Sequence, residues 1–221
     1  GIGGDAFAIV HDSVKLHGIN GSGKSPALMP TAIDGEMPSV GWLPVTVPGE
    51  VSVWVMLHER FGSLPFEDLF VPAIGYARDG FLVSPQTATR WQNGTNRFRD
   101  SEEWCSTFLF DGKAPKVGQK ITLPDHANTL QDIATTRGES FYRGVIAEKI
   151  DEASREHGGF LRKEDLANHK SIWVEPLSVE IDGARISELP PNGQGIAALI
   201  ALKIVEATGI DMAMCDSPKV L

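Results

Sequence analysis

The chain has 221 residues, 42% of them hydrophobic, and a formal net charge of −9 from 29 acidic and 20 basic side chains. That length supports one sizeable core, while the acidic balance argues against a nucleic-acid partner because it repels a phosphate backbone at long range. No apolar run approaches the roughly 18 residues needed to span a bilayer, and Cys105 and Cys215, with no C-x-x-C, read as idle thiols.

Ala6–Val10 and Val14–Ile19 are strand-like runs around His11-Asp-Ser13, which predicts an opening β-hairpin. The exit from its second strand, Gly18-Ile-Asn-Gly-Ser-Gly-Lys-Ser25, fits the phosphate-loop pattern G-x-x-x-x-G-K-[ST]. A phosphate loop needs a helix opening at its Lys-Ser, whose free N–H groups face the phosphates. Here Pro26, Pro30, Asp34-Gly35 and Pro38 follow, and such breakers leave no room for uninterrupted helical turns. Residues 21–48 are therefore expected to be a long ordered loop.

A helix is predicted from about Glu50, with Val51, Trp54, Val55 and His58 on one face and Gly62 as its stop. A second should run from Pro65 to Ala77 and bend at Pro72, ending at Asp79-Gly80. Residues 84–120 lose the pattern and read as irregular or weakly helical surface. Two more helices follow, through Leu130–Ala134 and Tyr142–Ala153, divided by Arg137-Gly138 and closed by Gly158-Gly159. After a short helix at residues 164–168, Leu177, Val179 and Ile181 alternate as a strand, and Asp182-Gly183 is a tight-turn dipeptide leading into a return strand. Pro190-Pro-Asn-Gly-Gln-Gly195 then opens a last helix along Ile196, Leu199, Ile200 and Ile204, with Gly209 beyond it.

Familiar catalytic patterns are missing. No serine has glycine at both flanking positions of G-x-S-x-G, and no H-E-x-x-H occurs among the six histidines, so no metal site is assigned. The adjacent carboxylates Glu102-Glu103, Asp151-Glu152 and Glu164-Asp165 read as solvated charges, because neighbours one apart on a helix diverge.

Several segments, in order along most of the chain, resemble γ-glutamyltranspeptidases. They are Gly1-Ile-Gly-Gly4, Val47-Pro-Gly-Glu50, Phe61-Gly-Ser-Leu-Pro65, the run from Pro72 to Phe81, Phe141-Tyr-Arg-Gly-Val-Ile-Ala147, Gly158-Gly-Phe-Leu161 with Glu164-Asp-Leu166, and Leu189-Pro-Pro-Asn-Gly-Gln-Gly195. The resemblance implies an α+β, helix-rich N-terminal-nucleophile hydrolase of αββα sandwich type. Residues 1–221 would be a single-domain fragment of its large subunit, truncated at both ends. It also implies a precursor that cuts itself, with the nucleophile a threonine heading the small subunit and activated by its own α-amine. No catalytic residue is then expected in this chain, and no cofactor. The implied partners are the small subunit of the same precursor and a small-molecule amide, a γ-glutamyl or related acyl amide.

In the family an arginine after the second hairpin strand clamps the α-carboxylate of the γ-glutamyl group, within a run Asp-x-Arg-Glu-x-x-Pro. That run aligns on Asn20-Gly-Ser-Gly-Lys-Ser-Pro26, placing Ser22 at the arginine and Gly23 at the glutamate. Ser22 and Lys24 are the expected substrate-binding residues. An ammonium does not reproduce the two parallel hydrogen bonds of a guanidinium, so membership stands firmer than the substrate. The alternatives are a non-catalytic scaffold of the same fold, or a nucleotide-binding protein using Gly18–Ser25.

Overall fold

The opening hairpin forms where alternation and turn chemistry agree. In the computed structural model, which describes residues 2–209, β1 (Phe7–His11) pairs antiparallel with β2 (Leu16–Asn20), from Phe7 opposite Asn20 to His11 opposite Leu16. Asp12 builds the turn: its Oδ1 accepts the N–H groups of Val14 and Lys15 at 3.0 and 2.9 Å, and Ser13 takes φ 74° between them. Its other oxygen lies 2.6 Å from Nε2 of buried His17. These bonds, the Lys15 N–H first, then His17 and the Val14 N–H, hold the Asp12 carboxyl well below its usual range. Arg60 reaches His17 Nδ1 at 2.8 Å and lies over the Trp173 ring. A guanidinium only donates, so the ring proton of His17 sits on Nε2, facing Asp12.

Residues 21–49 contain no helix or strand, as expected from their prolines. α1 (Glu50–Phe61) follows, with Glu50 favourably placed in its first turn and Val51 and Val53 buried. The described residues form two compact units, 2–60 with 147–209 and 61–146.

The second unit is helical. The continuous helix expected around Pro72 is instead a 3₁₀ turn (Glu67–Phe70) followed by α2 (Val71–Asp79). Pro72 stands in the first turn of α2, where its missing N–H costs nothing, so it opens a helix rather than bending one. Of the apolar stripe expected along Phe66, Leu69, Phe70, Ala73, Ile74 and Ala77, four residues are buried, while Leu69 and Ala73 are exposed. After β3 (Phe81–Leu82) come α3 (Pro85–Phe98) and α4 (Glu102–Phe108), well-formed helices where weak structure was expected. Neither contains a buried residue. Ser84 and Ser101 cap them by accepting the N–H groups of Thr87 and Trp104, and Trp91 Nε1 donates to the Phe108 carbonyl at 2.7 Å. β4 (Lys120–Ile121) pairs with β3, and α5 (Pro124–Thr136) packs on α2. Arg137 and Gly138, both left-handed, end α5 as predicted. The next helix is two: α6 (Glu139–Arg143) breaks at Gly144, where a Cβ would come 2.9 Å from Ser140 Cα.

α7 (Val145–Glu156) and α8 (Lys163–Ala167) return the chain to the first unit. Asp151 is not solvated: it is 8% exposed and accepts from Arg155 Nε at 2.9 Å, with Arg162 Nε 3.9 Å away. β5 (Ile172–Val174), too short to show alternation in the sequence, pairs antiparallel with β2 and makes it the central strand of three. β6 (Leu177–Ile181) and β7 (Ala184–Glu188) form the predicted hairpin, with Asp182 and Gly183 at φ 49° and 78°. α9 (Gly195–Thr208) packs on that hairpin and stops at left-handed Gly209. Its Ile196, Ile200 and Ile204 are exposed. Cys215 and the tail to Leu221 lie outside the described residues, and among those described no helix is long and apolar enough to cross a membrane.

Candidate functional site

The loop leaving β2 is fixed residue by residue. Asn20 is buried, and its Oδ1 accepts the Ser22 N–H at 2.8 Å, turning the chain. Gly21 N–H continues the ladder to Ala6 O at 2.9 Å, Gly23 N–H donates to Asp5 Oδ1 at 3.1 Å, and Val47 N–H donates to Lys24 O at 3.0 Å. A Cβ on Gly23 would overlap the Val47 carbonyl, and one on Gly21 the Val53 side chain. Glycine at both positions is therefore a packing requirement.

These bonds also settle the phosphate-loop lookalike. The N–H groups of Gly21, Ser22 and Gly23 are spent within the protein, and after Ser25 comes a turn, Met29 N to Pro26 O at 3.0 Å, rather than a helix. The two features that cradle a phosphate are both lacking.

The loop forms one wall of a cavity of about 940 Å³, lined by Ser22 and Lys24 and, from remote segments, by Asp165, His169, Lys170 and Asn192 among others. Ser22 is half-buried and Lys24 is exposed at the rim. Both residues singled out from the sequence thus reach one cavity. Its remaining walls were not anticipated. Asp165 is a staple: Oδ1 accepts from Ala27 N–H and Oδ2 from Arg162 N–H, both at 2.9 Å, so α8 is tied to the loop. This overturns its reading as a solvated charge. His169, half-buried just past α8, has its pKa pushed below the ordinary 6.5, mainly by burial, with the Asp5 charge opposing. Asn192, in the turn before α9, accepts from Asn20 Nδ2 at 3.1 Å.

The electrostatics of this wall follow from which charges are already engaged. Both Asp165 oxygens hold backbone donors, and His169 is neutral near pH 7. Lys24 and Lys170, both exposed, make no ion pair among the described residues. Beside them stand neutral donors and acceptors from Ser22, Asn168 and Asn192. With the Asp165 charge set against the two lysines, such a wall suits a strongly polar small molecule. Among the described residues no group of three or more metal-binding side chains is present.

The fold is that of N-terminal-nucleophile hydrolases: cephalosporin acylase from Bacillus halodurans matches 100% of this chain and 43% of its own, with TM-score 0.93 at 41% identity. The family model for gamma-glutamyltranspeptidase matches residues 1–220, and the chain belongs to that family. Glutathione hydrolase proenzyme 1 of Schizosaccharomyces pombe is 33% identical over 182 residues, 80% of this chain and 29% of that protein. The glutathione hydrolase-like YwrD proenzyme of Bacillus subtilis is 29% identical over 212 residues, 93% of this chain and 40% of that protein. This chain spans less than half the length of either relative.

Proposed function

We propose that this chain is the large-subunit portion of a γ-glutamyltranspeptidase-like amidohydrolase or acyltransferase, and that its loop from Asn20 to Pro26 binds the acyl group. The rest of the precursor would supply the small subunit, headed by a threonine whose hydroxyl attacks the amide carbonyl with its own α-amine as base. The amine product leaves, and water or a second amine takes the acyl group. The large subunit contributes binding and orientation. Bare apolar side chains on α9 (Ile196, Ile200 and Ile204) are surface that the small subunit would cover in this reading.

The observation that carries the proposal is that the chain belongs to the family and has a cavity walled by this loop, onto which the resemblance aligns the family's arginine run. In this reading Ser22 stands in the arginine's place and the paired guanidinium bonds are lost. Charged hydrogen bonds contribute about 1.5 to 3 kcal/mol, so γ-glutamyl binding should be weaker by roughly one to two orders of magnitude than with an arginine. Lys24 and Lys170 retain positive charge at the wall, which favours acyl groups bearing a carboxylate without fixing its orientation. The proenzyme and acylase names of its relatives support amide chemistry while leaving the acyl group open.

The test uses the complete, matured gene product and chromogenic p-nitroanilides of γ-glutamate and glutarate. Lys24→Ala should raise KM about tenfold on the preferred amide and leave kcat nearly unchanged, as expected when a ground-state contact is removed. Unchanged kinetics would take Lys24 out of the pocket. Absence of turnover with any amide, by a protein that never splits, would favour a scaffold.

A further inference from the structure

The turn Pro190-Pro-Asn-Gly-Gln-Gly195 joins β7 to α9, and as a connection it needs only to reverse the chain. Its position asks more of it. Leu189, the residue that leads into it, packs on the central strand, since a Cβ on Gly18 would meet the Leu189 side chain at 2.5 Å. That contact carries Asn192 to the end of β2, where it bonds to Asn20, 172 residues away in sequence.

The orientation of the two amides follows from chemistry. Ser22 N–H is a donor, so the group 2.8 Å from it must be Asn20 Oδ1. Asn20 Nδ2 then faces Asn192 and needs an acceptor, which fixes Oδ1 of Asn192 at 3.1 Å. Asn20 is 6% exposed, so its amide is held by these partners and not by bulk water. Asn20, Ser22, Lys24 and Asn192 all line the one cavity.

We propose that Asn192 is a positioning residue: it sets the Asn20 amide, which sets the Ser22 backbone and with it the Ser22 hydroxyl and the Lys24 side chain at the acyl-binding wall. This rests on the pocket reading of Ser22 and Lys24 given above. Asn192 acts through its bond to Asn20, so its removal changes binding more than turnover.

Facing carboxylates provide the test. In Asn20→Asp, one oxygen still accepts from Ser22, and the Asn192 amide flips to donate to the other. In Asn192→Asp, an oxygen still accepts from Asn20. The double variant sets two carboxylates against each other, which must share a proton to coexist. Each variant is made in the complete, matured gene product and assayed with γ-glutamyl and glutaryl p-nitroanilide between pH 5 and 8, alongside thermal melting. Each single variant adds one negative charge to the cavity and should raise KM, whereas the double should raise it at pH 8 about tenfold or more beyond the product of the two single effects, with kcat little changed and that excess vanishing toward pH 5. A double variant whose effect is the product of the singles at every pH overturns the proposal, as does an equal loss in kcat and KM that tracks melting. Should the double variant not fold, Asn192→Leu against Asn192→Asp carries the same contrast: a larger rise in KM in the first than in the second, and equality of the two overturns it. An inactive parent on both anilides would overturn the enzyme reading and this inference together. An active parent with additive variants overturns this inference alone.

Discussion

Around the cavity, glycines are packed against backbone: Gly23 under the Val47 carbonyl and Gly49 under the Gly21 carbonyl, neither with space for a methyl group. In the unit of residues 61–146, Gly75 in the middle of α2 meets nothing within 4 Å, and α3 and α4 bury no residue at all. The first region is specified by close backbone approach and by hydrogen bonds between distant segments, the second by helix caps, aromatic pairs and an apolar stripe. Adding a single carbon should therefore be damaging at Gly23 and harmless at Gly75.

The largest effect should come from Gly23→Ala. Its Cβ can be housed only by moving backbone, and overpacking of that kind costs about 3 kcal/mol. Denaturant unfolding should show that loss together with loss of ligand binding at the cavity. A variant as stable as the parent would mean the loop is looser than described. Next, Ser84→Ala removes the cap of α3 and should cost about 1 kcal/mol, with Ser84→Thr restoring most of it. Gly75→Ala should be stabilising, by about 0.5 kcal/mol, since it removes chain entropy from the unfolded state at an open helical site. A destabilised Gly75→Ala would erase the contrast between the two regions.

The smallest effect concerns His169. Because burial lowers its pKa below 6.5, the folded ring holds its proton less tightly than the unfolded one. Its contribution to stability is present above pH 6.5 and is lost as pH falls through the folded value. Melting temperature should therefore decline on acidification below pH 6.5, and His169→Asn should flatten that part of the profile. An identical slope in the variant would mean that other groups set it.

How much the sequence announced follows the same division. Both hairpins, α1 and α9 were legible because alternation or helical period coincided with a turn or stop residue, as at Asp182-Gly183 and Gly209. α3 and α4 were not, because the half-buried face of α3 is made of Thr87, Ala88, Trp91, Gly94, Thr95 and Phe98, mostly small or polar residues that leave no continuous apolar stripe, and α4 is only seven residues long. Their signal lay in Ser84-Pro85 and Ser101, a cap with a helix-opening proline and a second cap. β5 is three residues long and owes its existence to pairing with β2. At the site, Ser22 and Lys24 were reached through resemblance, since the loop itself imitates a different motif. Asp165 and Asn192 escaped because their partners are 138 and 172 residues away, and no local pattern encodes such pairings. Asp165 is the sharper lesson: a charge beside another charge on a short helix looks solvated until both of its oxygens are found holding backbone N–H groups.

On the proposed function this chain works beside a second polypeptide released from the same precursor and bearing the attacking hydroxyl. Denaturing mass spectrometry of the complete gene product tests it most directly. The account predicts two masses, the smaller chain beginning with threonine, and a single uncut mass when that threonine is replaced by alanine. One intact polypeptide that nevertheless hydrolyses amides at full rate would contradict it.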